Sequence, residues 1–222
     1  MMAGIIWTKT PDGLCPHYDD SAEGLAAKYP GIPEMGLDWT LDTFPGDSKA
    51  LAQVRALLDS DKWVLFNGDY GTGKTGLAAC IYRDAIDKLI AKHGETAAIT
   101  GFYYENNRRM EIDRPKFWNV EELLQRHADT WHNEDLLDPV EYLKKRCGLL
   151  VLDGVGETAY PDKLRDVLGQ LIGQRYTRWR TLRTVMTSNW YFKDFGTKLG
   201  DWSVSRLRDV CEVIVPREKL RK

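Results

Sequence analysis

Eight consecutive residues, Gly68-Asp69-Tyr70-Gly71-Thr72-Gly73-Lys74-Thr75, fit the pattern GxxxxGK[ST] at every fixed position. The chemistry this spacing serves is the binding of a triphosphate. Glycines let the backbone pass close to phosphates, so that successive N–H groups point at their oxygens. A helix starting at the end of the loop turns its positive end toward the same anion. The lysine reaches the β and γ phosphates, and the hydroxyl after it ligates Mg2+. At average glycine usage the four fixed positions coincide by chance on the order of once in a hundred chains of this length. The expected cradle for ATP runs from Gly68 through Gly76, with Lys74 on the phosphates and Thr75 on Mg2+.

A second group completes such a site. Leu149-Leu150-Val151-Leu152-Asp153 is an apolar run ending in a carboxylate. At the carboxyl end of a buried strand, that side chain faces the crevice where ligands bind and can hold the metal. Many ATPases of this arrangement place a glutamate next, to orient the attacking water, but here that position is Gly154. Glu157 is the nearest acidic side chain downstream; a solvated loop residue is its plain alternative. The missing acid predicts slow hydrolysis, with ATP acting more as an assembly switch than as fuel. Asn189 closes the run Thr184–Asn189 and is expected beside Asp153, where an amide can hold water or touch the γ phosphate. Arg206, in Ser203–Arg208, has the permanent, forked charge suited to a finger reaching a neighbouring subunit's site. An asparagine in a turn and a solvated helix face are the corresponding bland readings.

These residues need a scaffold. Lys62–Asn67, Ala97–Tyr104, Gly148–Asp153, Thr184–Asn189 and Cys211–Val215 are expected strands. Helices are expected after Asp47 or Ser48, over Lys74–His93, after Asn119, after Asp138 with Pro139 opening the turn, and from about Pro161. Strands apolar on both faces, alternating with helices, predict an α/β domain whose parallel five-stranded sheet is covered on both sides. Residues 1–45, rich in Gly, Pro and Asp, read as an extension lying on the domain of residues 46–222 and available for docking a partner.

Composition excludes several classes. With 222 residues, 43% hydrophobic and a net charge of -2, the chain is neither uniformly basic nor disordered. No run approaches the length of a membrane span, and Ile5-Ile6-Trp7 is too short for a signal peptide, so a cytoplasmic location is expected. Cys15, Cys80, Cys147 and Cys211 form no CxxC pair and read as reduced residues, mostly of the core. His127 and His132, five apart, do not share a helical face.

The ordered set resembles the AAA+ ATPases of the DnaC/IstB type, the bacterial and phage helicase loaders and transposition helpers. The resemblance covers roughly Leu41 to Val215. It is carried by Leu41-Asp42-Thr43-Phe44, the P-loop, Phe117–Leu124 (FWNVEELL), Leu149–Gly156 (LLVLDGVG), and Gln174-Arg175-Tyr176 ahead of Thr184–Asn189. It implies an AAA+ P-loop fold, with Asn189 as the sensor residue and Arg206 as the arginine finger. It further implies action on DNA, single-stranded or duplex and here expected to be single-stranded, with a replicative helicase or a transposase as partner. ATP-dependent assembly into a homo-oligomer, a ring or filament, is expected from Arg206, since a finger needs a neighbour to receive it. Three features depart from the family: Gly154, an extension of only residues 1–45 where loaders often carry a separate helicase-binding domain, and a length that leaves no room for a helical lid.

DNA contact is expected from one of two arginine clusters. Arg108, Arg109, Arg114 and Lys116 follow the expected second strand, and Arg175, Arg178, Arg180 and Arg183 interleave with Tyr176 and Trp179. Arginine beside aromatics can grip a backbone and stack bases. A basic helix end is favourable against the dipole without any ligand. Besides the helicase loader and the transposase helper, two alternatives stand: a nucleotide-binding module with negligible turnover, and a small-molecule kinase, which needs a lid and acceptor pocket not found here.

Overall fold

The computed structural model describes residues 4–10, 13–106, 108–133 and 135–220; residues 1–3 and 221–222 of the two expected segments, with 11, 12, 107 and 134, lie outside these. In chain order, β1 (Ile5–Thr10) pairs antiparallel with β2 (Gly13–Tyr18), and α1 (Ala22–Lys28) and α2 (Ser48–Leu57) follow. Then come β3 (Trp63–Asn67), α3 (Lys74–His93), α4 (Glu95–Thr100), β4 (Phe102–Glu105), β5 (Arg108–Glu111), β6 (Lys116–Asn119), α5 (Val120–Asp129) and α6 (Pro139–Lys145). The chain continues through β7 (Leu149–Val155), α7 (Asp162–Tyr176), β8 (Arg183–Ser188), α8 (Phe195–Leu199), α9 (Asp201–Val210) and β9 (Cys211–Ile214).

The central sheet has five strands in the order β6-β7-β8-β3-β9, all parallel. Its strands lack polar alternation because both faces are covered. Along β3, Trp63 and Leu65 enter one apolar cluster with α5, α6, α7 and α9, while Val64 and Phe66 enter the other with α2 and α3. The period of two along a strand thus divides one apolar run between two cores. Helix starts follow their caps: Asp47 accepts from the N–H groups of Lys49 and Ala50, Asn119 from that of Glu122, and Asp138 from that of Val140, with Pro139 in the first turn. The segment ahead of α2 joins the second core through Tyr29, Ile32, Leu37 and Phe44.

One strand differs from expectation. Ala97–Tyr104 is not a sheet strand: Ala97 and Ala98 are buried on the short helix α4, which ends at left-handed Gly101. Phe102–Glu105 then pairs with Arg108–Glu111 as a separate hairpin. The fifth sheet strand is instead Lys116–Asn119, against β7. A short apolar run with two alanines fits a helical turn as readily as a strand.

Candidate nucleotide site

The glycine-rich loop joins β3 to α3, so Gly68–Thr75 sits at the carboxyl edge of a central strand and opens a twenty-residue helix. Gly73 caps that helix in the left-handed region (φ 81°), and a Cβ there would lie 2.8 Å from the Phe44 ring. Both the backbone and the space demand glycine. Lys74, only 7% exposed, donates to the carbonyls of Gly68 (2.8 Å) and Asp69 (2.7 Å). Burial lowers its pKa, opposed by the carboxylates of Glu157, Asp69 and Asp153. Thr72 donates to the Asp69 carbonyl at 2.9 Å and pins the loop on itself.

Asp153 lies on β7 at 8% exposure, where burial raises its pKa against the hydrogen bonds of Thr187 and Thr75 and the charge of Lys74. Its Oδ1 accepts from Thr75 at 2.8 Å and from Thr187 at 2.7 Å. The Thr187 hydroxyl in turn accepts from the Gly154 N–H at 2.8 Å. The β7–β8 register slips between Leu152 and Val155, so an irregularity of the ladder falls on Asp153 and Gly154. Such bulges redirect side chains near functional sites. Thr187 has a role that sequence reasoning missed. The available signal was a hydroxyl in the strand run that ends in Asn189.

Gly154 takes a left-handed conformation (φ 81°), and a Cβ built on it would stand 3.0 Å from Glu157 Oε2. The Glu157 carboxylate thus borders the space where a side chain at position 154 would begin. The turn that brings it there is closed by the Glu157 N–H on the Gly154 carbonyl (3.1 Å). Tyr160 clamps the turn, donating to the Gly154 carbonyl and accepting from the Gly156 N–H. Asn189 donates to Glu157 Oε1 at 3.3 Å, while its own Oδ1 is buried without a partner among the described residues. Glu157 lines a cavity of about 190 Å3 together with Gly36, Trp39, Tyr70, Gly71, Gly73, Lys74, Thr75, Gly76 and Leu220. A larger cavity, about 830 Å3 between β6, α5 and α6, is lined by Lys116 of the first basic cluster and by none of the residues expected at the nucleotide.

Arg206 does not line the cavity at the loop. On α9 its guanidinium lies 3.0 Å from the Trp202 ring centre and 5.2 Å from that of Tyr176, with Nη1 unpartnered among the described residues.

The arginine clusters separate. Arg175 is wholly buried and donates to Thr184 Oγ1 and to the carbonyls of Leu143, Arg146, Cys147 and Arg183. It is therefore no DNA contact: every donor is spent on the protein's own backbone and one hydroxyl. Arg183 likewise donates to the carbonyls of Leu57, Leu58 and Lys62. Arg114 reaches the Ile99 carbonyl and the Tyr18 hydroxyl, and burial lowers the pKa of Lys116. Arg108, Arg109, Arg178 and Arg180 remain exposed, with Arg109 stacked 4.1 Å over Phe102 and Arg180 over Trp179.

Hard oxygen donors with a nearby phosphate are what Mg2+ takes, and the Thr75 hydroxyl and Asp153 carboxylate, 2.8 Å apart, are such a pair. Among the described residues no helix is long and apolar enough to cross a membrane.

No protein-family model and no curated protein sequence matches the chain. Solved structures do. The DnaC helicase loader aligns over 83% of this chain and 100% of its own, with TM-score 0.62 and 20% identity. DnaI aligns over 84% and 95%, with TM-score 0.60 and 20% identity. AMPPCP-bound DnaA from Aquifex aeolicus aligns over 81% of this chain but 50% of its own, with TM-score 0.59 and 16% identity. These likenesses, at 16–20% identity, show the fold: the chain shares the fold of the DnaC helicase loader, of DnaI and of part of DnaA.

Proposed function

We propose that this chain is an ATP-binding, slowly hydrolysing AAA+ protein of DNA replication, a helicase loader that assembles on single-stranded DNA when ATP is bound. The observation that carries the nucleotide reading is the convergence of Lys74, Thr75, Asp153, Asn189 and Glu157 at one sheet edge. The loader reading is supported by the likeness to DnaC and DnaI, and it stands ahead of a transposase helper for that reason. DnaA is represented among the similar structures bound to AMPPCP and single-stranded DNA, which supports both proposed ligands.

In this reading the N–H groups of Gly68–Gly76 hold the phosphates, and Lys74 swings from the Gly68 and Asp69 carbonyls onto the β and γ oxygens. Thr75 and Asp153 would hold Mg2+, which supplies charge neutralisation at the phosphates. Glu157 takes the proton of a water held also by Asn189. The water oxygen bonds to the γ phosphorus, the bond to the β–γ bridging oxygen breaks, and ADP and phosphate leave. Because Glu157 reaches in from an exposed turn rather than from the strand, turnover is expected at or below the low end of ordinary enzymes, about 1 s-1. Arg206, held against Trp202, completes the site of a neighbouring subunit in a homo-oligomer, ring or filament. The exposed Arg108 and Arg109 on the β4–β5 hairpin, with Arg178 and Arg180, contact DNA, and the chain acts in the cytoplasm.

The test is the anisotropy of labelled single-stranded DNA with ATP and with ADP, using Lys74→Ala as control. Binding with ATP that is lost in Lys74→Ala supports the reading. Absence of binding at low salt, where phosphate contacts are strongest, refutes assembly on DNA.

A further inference from the structure

After β9 the chain does not leave the domain but runs back along the glycine-rich loop. The Pro216 carbonyl lies beside Gly68, with 3.5 Å to where a Cβ would sit. The Arg217 N–H donates to Asp47 Oδ2 at 2.9 Å, joining the segment to the cap of α2. The Leu220 N–H donates to the Gly71 carbonyl at 2.9 Å. That bond uses a loop carbonyl and leaves the loop's N–H groups, which phosphates need, unengaged by the segment. The Leu220 side chain packs at Gly73 and Gly46 with Phe44, whose ring meets Trp39 edge-on at 5.7 Å. Trp39 in turn lies against Gly76.

Both Trp39 and Leu220 line the cavity that Lys74, Thr75 and Glu157 share. Those three are the only lining side chains, among the described residues, that carry an amine, a carboxyl or an aliphatic hydroxyl, and phosphate, metal and water chemistry occupies them. The rest of the lining is glycine, Trp39, Leu220 and Tyr70. We propose that Leu220 and Trp39 form the contact surface for the nucleotide's base, and that base recognition is therefore apolar and weakly selective between purines. This rests on the nucleotide reading above and names its base contacts. A cavity of about 190 Å3 is below the usual ligand range of roughly 300–1,000 Å3, so Leu220 must shift its side chain to admit a base. Its backbone can stay bonded to Gly71 while it does so. Strong discrimination needs hydrogen bonds to the distinguishing groups, and apolar walls supply far less.

The experiment is titration calorimetry with ATP, GTP and inorganic tripolyphosphate on the wild-type chain, Leu220→Ala, Leu220→Met and Lys74→Ala. ATP and GTP should bind within about tenfold of each other, because the surfaces assigned to the base, the Leu220 side chain and the Trp39 ring face, are apolar. Leu220→Ala should weaken both by on the order of tenfold, the worth of the lost apolar contact. Tripolyphosphate affinity should be unchanged in Leu220→Ala, which also verifies the fold of that variant, and Leu220→Met should keep wild-type affinity. A preference for ATP beyond about tenfold, or a Leu220→Ala chain that binds ATP as well as or better than wild type, overturns the assignment. If the wild-type chain binds neither ATP nor tripolyphosphate, the nucleotide reading fails and takes the base contacts with it. If Lys74→Ala alone loses both ligands while Leu220→Ala matches wild type, only the base contacts fail.

Discussion

Arg175 on α7 and Arg109 on β5 are the same side chain at opposite extremes of environment. Arg175 is 0% exposed, and its guanidinium ties together the end of α6, the turn into β7 and the first residues of β8. Burial brings its pKa down to about 10, still far above neutrality, so the buried group stays charged and is held by carbonyl dipoles in place of water. Arg109 has no such net among the described residues: it is exposed and stacked on the face of Phe102 in a hairpin outside the central sheet. A charge built into the frame serves stability, and a charge on a peripheral hairpin is available to a ligand. The difference is one of surroundings, and it divides the basic residues of this chain into two sets with separate measurable consequences.

The sharpest test of that division is Arg175→Ala. It leaves four backbone carbonyls without their buried donor, and each lost partner costs about 1–3 kcal/mol. Urea denaturation should show a loss of at least about 3 kcal/mol. A loss below about 1 kcal/mol would place Arg175 outside the frame.

The opposite behaviour is expected of Arg108→Ala/Arg109→Ala. Its unfolding free energy should change by no more than about 1 kcal/mol, the worth of an exposed cation–π contact. The slope of log affinity for single-stranded DNA against log salt should become shallower by about 1.4, at about 0.7 for each of two phosphate contacts. An unchanged slope would remove the hairpin from the DNA surface.

A smaller effect concerns Asp153, a buried charge less fully compensated than Arg175. Burial raises its folded pKa above its unfolded value, so the folded state holds the extra proton in the interval between them. Stability without nucleotide should therefore fall as pH rises through that interval. Asp153→Asn can still accept from Thr75 and Thr187 and should lose this dependence. Its melting temperature relative to wild type should climb from pH 4 to pH 7 in thermal scans. A constant difference would mean that the carboxylate carries no such burden.

The placement of the glycine-rich loop and Asp153 was legible because its signals are local: fixed spacing, an adjoining strand and an adjoining helix. Arg175 was legible in principle, since it continues the stripe Leu168, Leu171, Ile172 at helical spacing and so falls on the buried face of α7. Its neighbours Tyr176, Arg178 and Trp179 made the segment look like a basic surface instead. Ala97–Tyr104 was misassigned because a short apolar run has no period of its own, and only left-handed Gly101 divides helix from strand there. Trp39 and Leu220 were beyond sequence reasoning. Leu220 meets the loop from the far end of the chain and Trp39 from the segment ahead of α2, and no local pattern marks either one.

The central claim is that this sheet edge hydrolyses ATP with Glu157 standing in for the acid missing at Gly154. The most direct measurement is phosphate release from MgATP by wild-type and Glu157→Gln chains, with ATP affinity determined for both. The account predicts equal affinity and turnover at least about a hundredfold slower in Glu157→Gln, the lower bound for losing a general base. Equal turnover in the two chains would contradict it, because the carboxylate beside Gly154 would then have no part in the reaction.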